Sequence, residues 1–147
     1  MSLKVGQKAP DFSLKNTEGE TVHLKDQLPC IVYFYPKDFT PGCTEEACSF
    51  RDSHEVFRDL DISVLGISKD SIVSHKKFKE KHQLPFELLS DTSGKTCKAY
   101  KALIPVVGMP KRITYLVDKE QKIQAVYSDL FGAKKHIQSM IKQLKVE

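Results

Sequence analysis

The chain has 147 residues, 40% of them hydrophobic and 29% charged, and a formal net charge of +4, which suits one domain over residues 1–147 with a single packed core. No apolar run is long enough to cross a membrane, and the N-terminal stretch has no apolar segment of the secretory type, so we expect a cytoplasmic protein. The lysines are scattered instead of forming a basic stripe, which argues against a nucleic-acid partner.

The first half of the chain predicts strands that alternate with helices. A turn at residues 16–19 joins two short strands, and the nearly continuous apolar run at 30–35 is typical of a strand buried on both faces. Thr40 is a suitable N-cap and Pro41 a suitable first helical residue, so a helix is predicted over residues 41–60. The other elements predicted here are strands at 11–14, 21–24 and 62–68 and an exposed lysine-rich helix at 71–82.

The second half predicts that the sheet is mixed. A short strand at 86–89 and a brief helix at 95–101 precede a hairpin with strands at 113–117 and 123–127. A final helix at 133–145 is amphipathic. Its apolar face carries Ile137, Met140, Ile141 and Leu144. The order of elements predicts an α/β protein that resembles a thioredoxin-like fold, with a central mixed β-sheet and helices on both faces.

Two of the four cysteines, Cys43 and Cys48, lie where a predicted buried strand gives way to a helix. A thiol is a nucleophile only as a thiolate, and the unpaired backbone N–H groups at a helix N-terminus favour that form. Cys43 falls in the first turn, after Pro41 and Gly42, and Thr40 can offer a hydroxyl to the sulfur or to a bound oxygen compound. We therefore interpret Cys43 as a reactive thiolate rather than a buried structural thiol.

The spacing of Cys43 and Cys48 prevents an intact helix from joining them by a disulfide. Ideal helix geometry separates their Cα atoms by about 8.7 Å, whereas a disulfide needs a separation below about 7 Å. If the two thiols form a bond, the helix between them must unwind. The pair would then take part in a reaction cycle that includes a conformational step.

A metal site is a less well supported interpretation of the cysteines and histidines. Zinc sites usually present two close pairs of ligands, and these residues show no such pairing. His75 and His82 fall on the lysine-rich helix and are predicted to be solvated, whereas His54 is predicted to belong to the core. Cys30 and Cys97 are predicted to pack as small apolar residues. We therefore expect no metal and no cofactor.

The stretch PKDFTPGC at residues 36–43 resembles the peroxidatic signature of peroxiredoxins, P-x-x-x-T-x-x-C. Its extension over residues 40–52, T-P-G-C-T-x-x-A-C-x-F-R-D, resembles the subfamily called PrxQ or bacterioferritin comigratory protein. The resemblance also covers GQKAPDFSL at 6–14, LPFELLSD at 84–91 and RITYLVD at 112–118. It therefore extends over nearly the whole chain.

This resemblance implies a role for each residue of the site. Cys43 would attack the terminal peroxide oxygen as a thiolate and become a sulfenic acid, and Pro36 would shield that sulfenic acid from water. Thr40 would hydrogen-bond the peroxide and the thiolate, and Arg112 would stabilise the charge on Cys43 and orient the peroxide. Cys48 would be the resolving cysteine, forming an intramolecular disulfide that a thioredoxin-like donor reduces.

Two features differ from the usual pattern of that subfamily. The segment between Tyr100 and Arg112 is shorter, and GMPKR at residues 108–112 stands where a G-x-x-R arrangement is common. Cys97 occupies a position where alanine is common, and it is neither a recognised resolving position nor an obvious ligand. We therefore expect the wall of the substrate pocket opposite Cys43 to differ in shape from that of other members of the subfamily.

The resemblance implies an atypical 2-Cys, thioredoxin-dependent peroxidase that reduces hydrogen peroxide and organic hydroperoxides. Two alternatives stay open at this point. One is a disulfide reductase of the thioredoxin type, which would need a C-x-x-C pair, and the other is a non-enzymatic, chaperone-like module on the same fold. An intramolecular disulfide needs no second subunit, so we expect a monomer, with a weak homodimer as the alternative. We expect no membrane partner.

Overall fold

The structure is a computed structural model that describes residues 2–128 and 133–146. The strands are β1 (Ser13–Lys15), β2 (Thr21–His23), β3 (Cys30–Phe34), β4 (Ser63–Ser68), β5 (Glu87–Ser90), β6 (Ile113–Val117) and β7 (Ile123–Tyr127). The helices are α1 (Pro41–Asp52), α2 (His54–Asp59), α3 (Ile72–His82), α4 (Lys95–Ala99) and α5 (Ala133–Val146), with a 3-10 turn at Leu24–Asp26. None of the helices within the described residues has the length and apolar character needed to cross a membrane.

The seven strands form one sheet in the order β2-β1-β5-β4-β3-β6-β7. Strand β3 lies in the interior of the sheet beside the middle strand β4, and all five of its residues are buried. It pairs in parallel with β4 and antiparallel with β6, while β4 and β5 are parallel and β6 and β7 antiparallel. The mixed sheet confirms the predicted thioredoxin-like α/β fold, and the β6–β7 hairpin has the bounds that the sequence predicted.

The helices are divided unequally between the two faces of the sheet. One apolar cluster joins the sheet to α1, α2, α3 and α5 through Phe50, Phe57, Phe78 and Met140. Because β3, β4 and β5 follow one another in a single direction across the sheet, their two crossover connections cover the same face. The second cluster lies on the opposite face and includes Cys97 from α4.

The single helix predicted over residues 41–60 is wrong, because the chain forms α1 and α2 with an interruption at Ser53. That residue has φ −102° and ψ 5°, outside the α-helical region. Its N–H is shared between the carbonyls of Ser49 and Phe50, each at 3.2 Å. The backbone at Ser53 therefore combines the hydrogen bond of an α-helix with that of a 3-10 turn, and helical geometry resumes at His54.

The histidines differ from their predicted environments. His75 was expected to be solvated, but it is fully buried, because α3 turns His75 and Phe78 towards the sheet. His82 is half-buried, with its ring edge-to-face against Phe78 at a centroid distance of 5.1 Å. His54 is half-buried as well, and its Nδ1 has no hydrogen-bond partner among the described residues.

Gly66 in β4 is required by the close approach of its neighbours. A Cβ atom at this position would lie 2.7 Å from Cζ of Tyr33 and 2.8 Å from Cδ2 of Leu88. The Tyr33 ring stacks on Phe50 at a centroid distance of 4.6 Å, so it has little room to move. Gly66 thus allows the tyrosine to pack between the sheet and α1.

We expect Gly66→Ala to lower the free energy of unfolding by about 1–3 kcal/mol, because the added methyl overpacks the core. Urea denaturation of the reduced protein measures the change. Ser63→Ala, in the same strand but half-buried, is the control and should change stability little. A Gly66→Ala protein as stable as the wild type would show that the Tyr33 ring can move aside.

Candidate active site

Cys43 is the third residue of α1 and is 1% exposed. Pro41 opens the helix, and Thr40 precedes it with extended backbone angles, as the sequence predicted. The free N–H groups of this first turn point towards the space beyond the helix N-terminus. Cys43 therefore lies where backbone dipoles favour a negative charge.

Arg112 contacts Cys43 because of the register between two strands of the sheet. Phe34, the last residue of β3, pairs with Ile113, the first residue of β6. Arg112 therefore lies at the edge of the sheet where the chain leaves β3 and turns into α1. Its Nη2 donates to Sγ of Cys43 at 3.3 Å.

Gly42 permits this approach of the guanidinium group. A Cβ atom on Gly42 would lie 3.0 Å from Nη2 of Arg112 and 3.7 Å from its Cζ. A larger residue would therefore push the guanidinium away from the first turn of α1. The glycine of the TPGC stretch is thus explained by the position of Arg112.

Glu46 is the second partner of Arg112. Its Oε1 accepts a hydrogen bond from Nη1 of Arg112 at 2.8 Å, and its side chain is 5% exposed. Burial raises the pKa of Glu46 to about 7, although the Arg112 charge and hydrogen bond oppose that rise. Burial lowers the pKa of Arg112, but Glu46 and Cys43 outweigh it and raise that pKa overall. The guanidinium is therefore held in its charged form.

Thr40 and Pro36 lie in the connection between β3 and α1, and Pro36 is half-buried. The Thr40 hydroxyl donates to the carbonyl of Lys37 at 2.8 Å instead of capping the described first turn of α1. With its proton engaged in this way, the hydroxyl oxygen keeps its lone pairs for a donor.

Cys48 lies apart from the cluster of Cys43, Arg112 and Glu46. It is half-buried on α1, and its Sγ lies 3.9 Å from Nδ1 of His82 in α3. Arg51 in the next turn donates from Nη1 to the carbonyl of His82 at 2.8 Å. The C-terminal part of α1 is therefore attached to the end of α3, and all four cysteine thiols of the chain are free.

Cys30 and Cys97 are both fully buried, as the sequence predicted. Burial raises the pKa of the Cys30 thiol to about 12. Burial also raises the pKa of Cys97, with smaller contributions from Asp91 in the same direction. Neither thiol is poised to form a thiolate, so both differ in reactivity from a cysteine at an open helix N-terminus.

The sequence interpretation overlooked Glu46. The residue follows Cys43 by three positions and so shares its side of α1 with Ala47 and Phe50, which are also buried. A carboxylate on the apolar face of an amphipathic helix usually has a buried cationic partner. That pattern was the available signal, although it does not identify Arg112 as the partner.

Comparisons with known proteins identify one family. Residues 5–126 match the model of the AhpC/TSA family. The chain is 44% identical to Peroxiredoxin Bcp of Bacillus subtilis (strain 168), covering 99% of this chain and 97% of that protein. It is 46% identical to the chloroplastic Peroxiredoxin Q of Sedum lineare, covering 95% of this chain and 77% of the relative.

A solved structure gives the same result at the level of the fold. The crystal structure of Peroxidoxin BcpB from Mycobacterium tuberculosis superposes with a TM-score of 0.92 at 33% sequence identity, covering 98% of this chain and 97% of that one. Both the sequence and the fold thus point to one group of proteins. The chain therefore belongs to the AhpC/TSA family, within which it is a peroxiredoxin of the Bcp/PrxQ type and hence a thiol-dependent peroxidase.

Proposed function

We propose that Cys43 is the peroxidatic cysteine and Cys48 the resolving cysteine of an atypical 2-Cys peroxidase that reduces hydrogen peroxide and organic hydroperoxides. The observation that carries the proposal is the 3.3 Å contact between Nη2 of Arg112 and Sγ of Cys43 at the start of α1. A charged guanidinium and a helix N-terminus both favour the thiolate that must attack the peroxide. No cofactor or metal is needed for this chemistry.

In the first step, the Cys43 thiolate attacks the terminal oxygen of ROOH and the O–O bond breaks. The sulfur becomes a sulfenic acid and the alkoxide or hydroxide leaves as ROH after taking up a proton. Arg112 stabilises the negative charge that moves from sulfur to the leaving oxygen. Thr40 accepts a hydrogen bond from the peroxide and so orients it, and Pro36 shields the sulfenic acid from water.

In the second step, the thiol of Cys48 attacks the sulfenic sulfur of Cys43, forming a disulfide and releasing water. Both residues lie within α1, where an ideal helix holds their Cα atoms about 8.7 Å apart, beyond the limit of about 7 Å for a disulfide. The helix must therefore unwind between them. A thioredoxin-like dithiol then reduces the disulfide and becomes oxidised itself.

We also propose that residues 1–147 act as one domain and as a monomer in the cytoplasm. Support comes from the single sheet, which carries both apolar clusters. The resolving thiol is supplied by the same chain, so the cycle needs no partner subunit.

We expect one equivalent of hydrogen peroxide to produce a Cys43–Cys48 disulfide, detected by peptide mapping with mass spectrometry. Amide hydrogen exchange over residues 43–52 should rise on oxidation, because unwinding exposes the backbone hydrogen bonds of α1. Cys43→Ser should consume no peroxide. Cys48→Ser should keep the sulfenic acid, which further peroxide oxidises to the sulfinic acid.

Cys97→Ser is the matched control for these variants and should behave as the wild type. A disulfide between Cys43 and Cys97, or only an intermolecular bond, would exclude Cys48 as the resolving residue. A Cys43–Cys48 bond with unchanged exchange would instead refute the unwinding step. Peroxide consumption that survives Cys43→Ser would reopen the reductase and chaperone alternatives.

We expect Arg112→Lys to lower the second-order rate constant for oxidation of Cys43 by about tenfold or more. Lysine keeps the charge but loses the planar group that contacts Cys43 and Glu46 together. Stopped-flow measurement under single-turnover conditions gives the rate constant. Arg58→Lys, at an exposed position on α2, is the control, and equal rates for all three proteins would remove Arg112 from the mechanism.

The raised pKa of Glu46 predicts a pH dependence of stability. Since that pKa moves from an ordinary value of 4.5 to about 7, the folded protein holds this proton more tightly than the unfolded chain. The resulting stabilisation is fully present below a pH of about 4.5, and it is lost as the pH rises through about 7. The free energy of unfolding of the wild type, minus that of Glu46→Gln, should therefore fall between these pH values and then level off.

Urea denaturation across this pH range measures the difference. Glu45→Gln, at the exposed neighbouring position, should show no comparable fall relative to the wild type. A difference between wild type and Glu46→Gln that stays constant from pH 4.5 to 7 would show that Glu46 is ionised throughout.

A further inference from the structure

A buried pair of a histidine and an aspartate lies behind the connection that carries Pro36 and Thr40. Asp38 belongs to that connection and His75 to α3, and each side chain is only 1% exposed. Nδ1 of His75 and Oδ2 of Asp38 are 2.7 Å apart. The mechanism described above uses neither residue.

Both nitrogens of the His75 ring have partners in the protein. Nδ1 of His75 faces the Asp38 carboxylate at 2.7 Å, and Nε2 faces the carbonyl oxygen of Leu89 at 3.1 Å. The Ser68 hydroxyl lies 3.5 Å from the same Nε2. Neither ring nitrogen is therefore left unpaired in the core, which fixes the orientation of the ring.

Asp38 is held by further donors around the pair. Its Oδ1 accepts from the Tyr35 hydroxyl at 2.6 Å, and its Oδ2 accepts from Oγ of Ser74 at 2.8 Å. Its backbone N–H donates to Oδ2 of Asp70 at 2.9 Å. Both the side chain and the main chain of Asp38 are therefore fixed to β3 and to the region around the start of α3.

Asp38, Asp70 and His75 also have the spacing of a metal site, with oxygen and nitrogen atoms within 4.8 Å of one another. Most of these atoms already have hydrogen-bond partners in the protein. Oδ2 of Asp70 accepts from the Ser68 hydroxyl at 2.6 Å and from the backbone N–H of Asp38 at 2.9 Å. Both carboxylate oxygens of Asp38 and both ring nitrogens of His75 are hydrogen-bonded as well.

The residue after Asp38 explains why the connection needs a firm attachment. Phe39 has φ +65°, the left-handed region that a phenylalanine adopts only at a cost in free energy. Its ring packs edge-to-face against Phe78 of α3 at 5.1 Å but is 46% exposed. Such a backbone persists only where its surroundings impose it, and Thr40 follows directly.

We propose that Asp38 and His75 form a positioning pair, which holds the connection from Pro36 to Thr40 in the conformation required for attack of Cys43 on peroxide. The hydrogen-bond partners of the pair lie in the residue after β3, in β4 and β5, and at or just before the start of α3, and none of these belongs to α1. The connection therefore stays in place while α1 unwinds for the second step. This inference rests on the proposed roles of Cys43 and Cys48.

The test is the double variant Asp38→Asn/His75→Gln, which replaces both titratable side chains with neutral amides and so leaves no unpaired charge in the core. We expect oxidation of Cys43 by hydrogen peroxide to slow by about tenfold, because a small displacement of orienting groups has an effect of that order or larger. Formation of the Cys43–Cys48 disulfide from the sulfenic acid should stay at least as fast as in the wild type. Rapid quenching with mass spectrometry separates the two steps.

Amide exchange at residues 37–40 of the reduced protein should rise in the same variant. The matched control is Asp26→Asn/His23→Gln, which makes the same two substitutions at exposed positions and should leave both steps unchanged. A general loss of folded protein would instead lower the active fraction and leave the rate constant of each step as it was. The slowed first step is therefore specific to positioning.

The inference is overturned if the folded double variant oxidises Cys43 at the wild-type rate. If that variant does not fold, Tyr35→Phe and Ser74→Ala decide the question, since each removes one donor to Asp38. A slower first step in both supports the pair, and wild-type rates in both refute it. Should Cys43→Ser retain activity, the proposed function fails, whereas an inactive Cys43→Ser with a fast double variant refutes only this inference.

Discussion

The contact between Arg112 and Cys43 is the interaction on which the site depends, and it exists because β3 and β6 are neighbours in a fixed register. Pairing of Phe34 with Ile113 brings the residue before β6 to the first turn of α1. A buried thiolate is costly unless a positive charge and hydrogen-bond donors accompany it. The sheet supplies the guanidinium and the helix N-terminus supplies the donors, so both are in place before peroxide binds.

In the proposed cycle, the helix that holds Cys43 must be stable enough to form the site and weak enough to open. Its twelve residues, PGCTEEACSFRD, include glycine, threonine, serine and two cysteines. Residues of these types lower helix stability by about 0.5–1 kcal/mol each relative to alanine. The helix also stops at Ser53 instead of continuing into α2. A short helix of low intrinsic propensity can lose several residues without disturbing the sheet beneath it.

Helix α3 contacts both ends of this reactive segment, with different strengths. At one end, Nδ1 of His75 makes a buried contact of 2.7 Å with Oδ2 of Asp38. At the other, His82 makes a long contact of 3.9 Å with Cys48 and accepts one hydrogen bond from Arg51. The second set of contacts is half-exposed, and in the proposed cycle it breaks when α1 unwinds. The difference in burial then favours opening of the C-terminal part of α1 over opening of the end that carries Cys43.

The sequence by itself determined the fold class and most of the elements and pointed to Cys43 and Cys48 as the candidate thiols, because these depend on local information. The apolar run of β3 and the pattern of the β6–β7 hairpin predict strands without knowledge of their neighbours, and a spacing of five residues defines a helical distance. Only the tertiary structure decided that Glu46 meets Arg112, 66 positions away, and that His75 meets Asp38, 37 positions away. Those pairings follow from the order and register of the strands and from the face of α3 that packs on them. For the same reason a histidine among lysines was predicted to be solvated although the packed helix buries it.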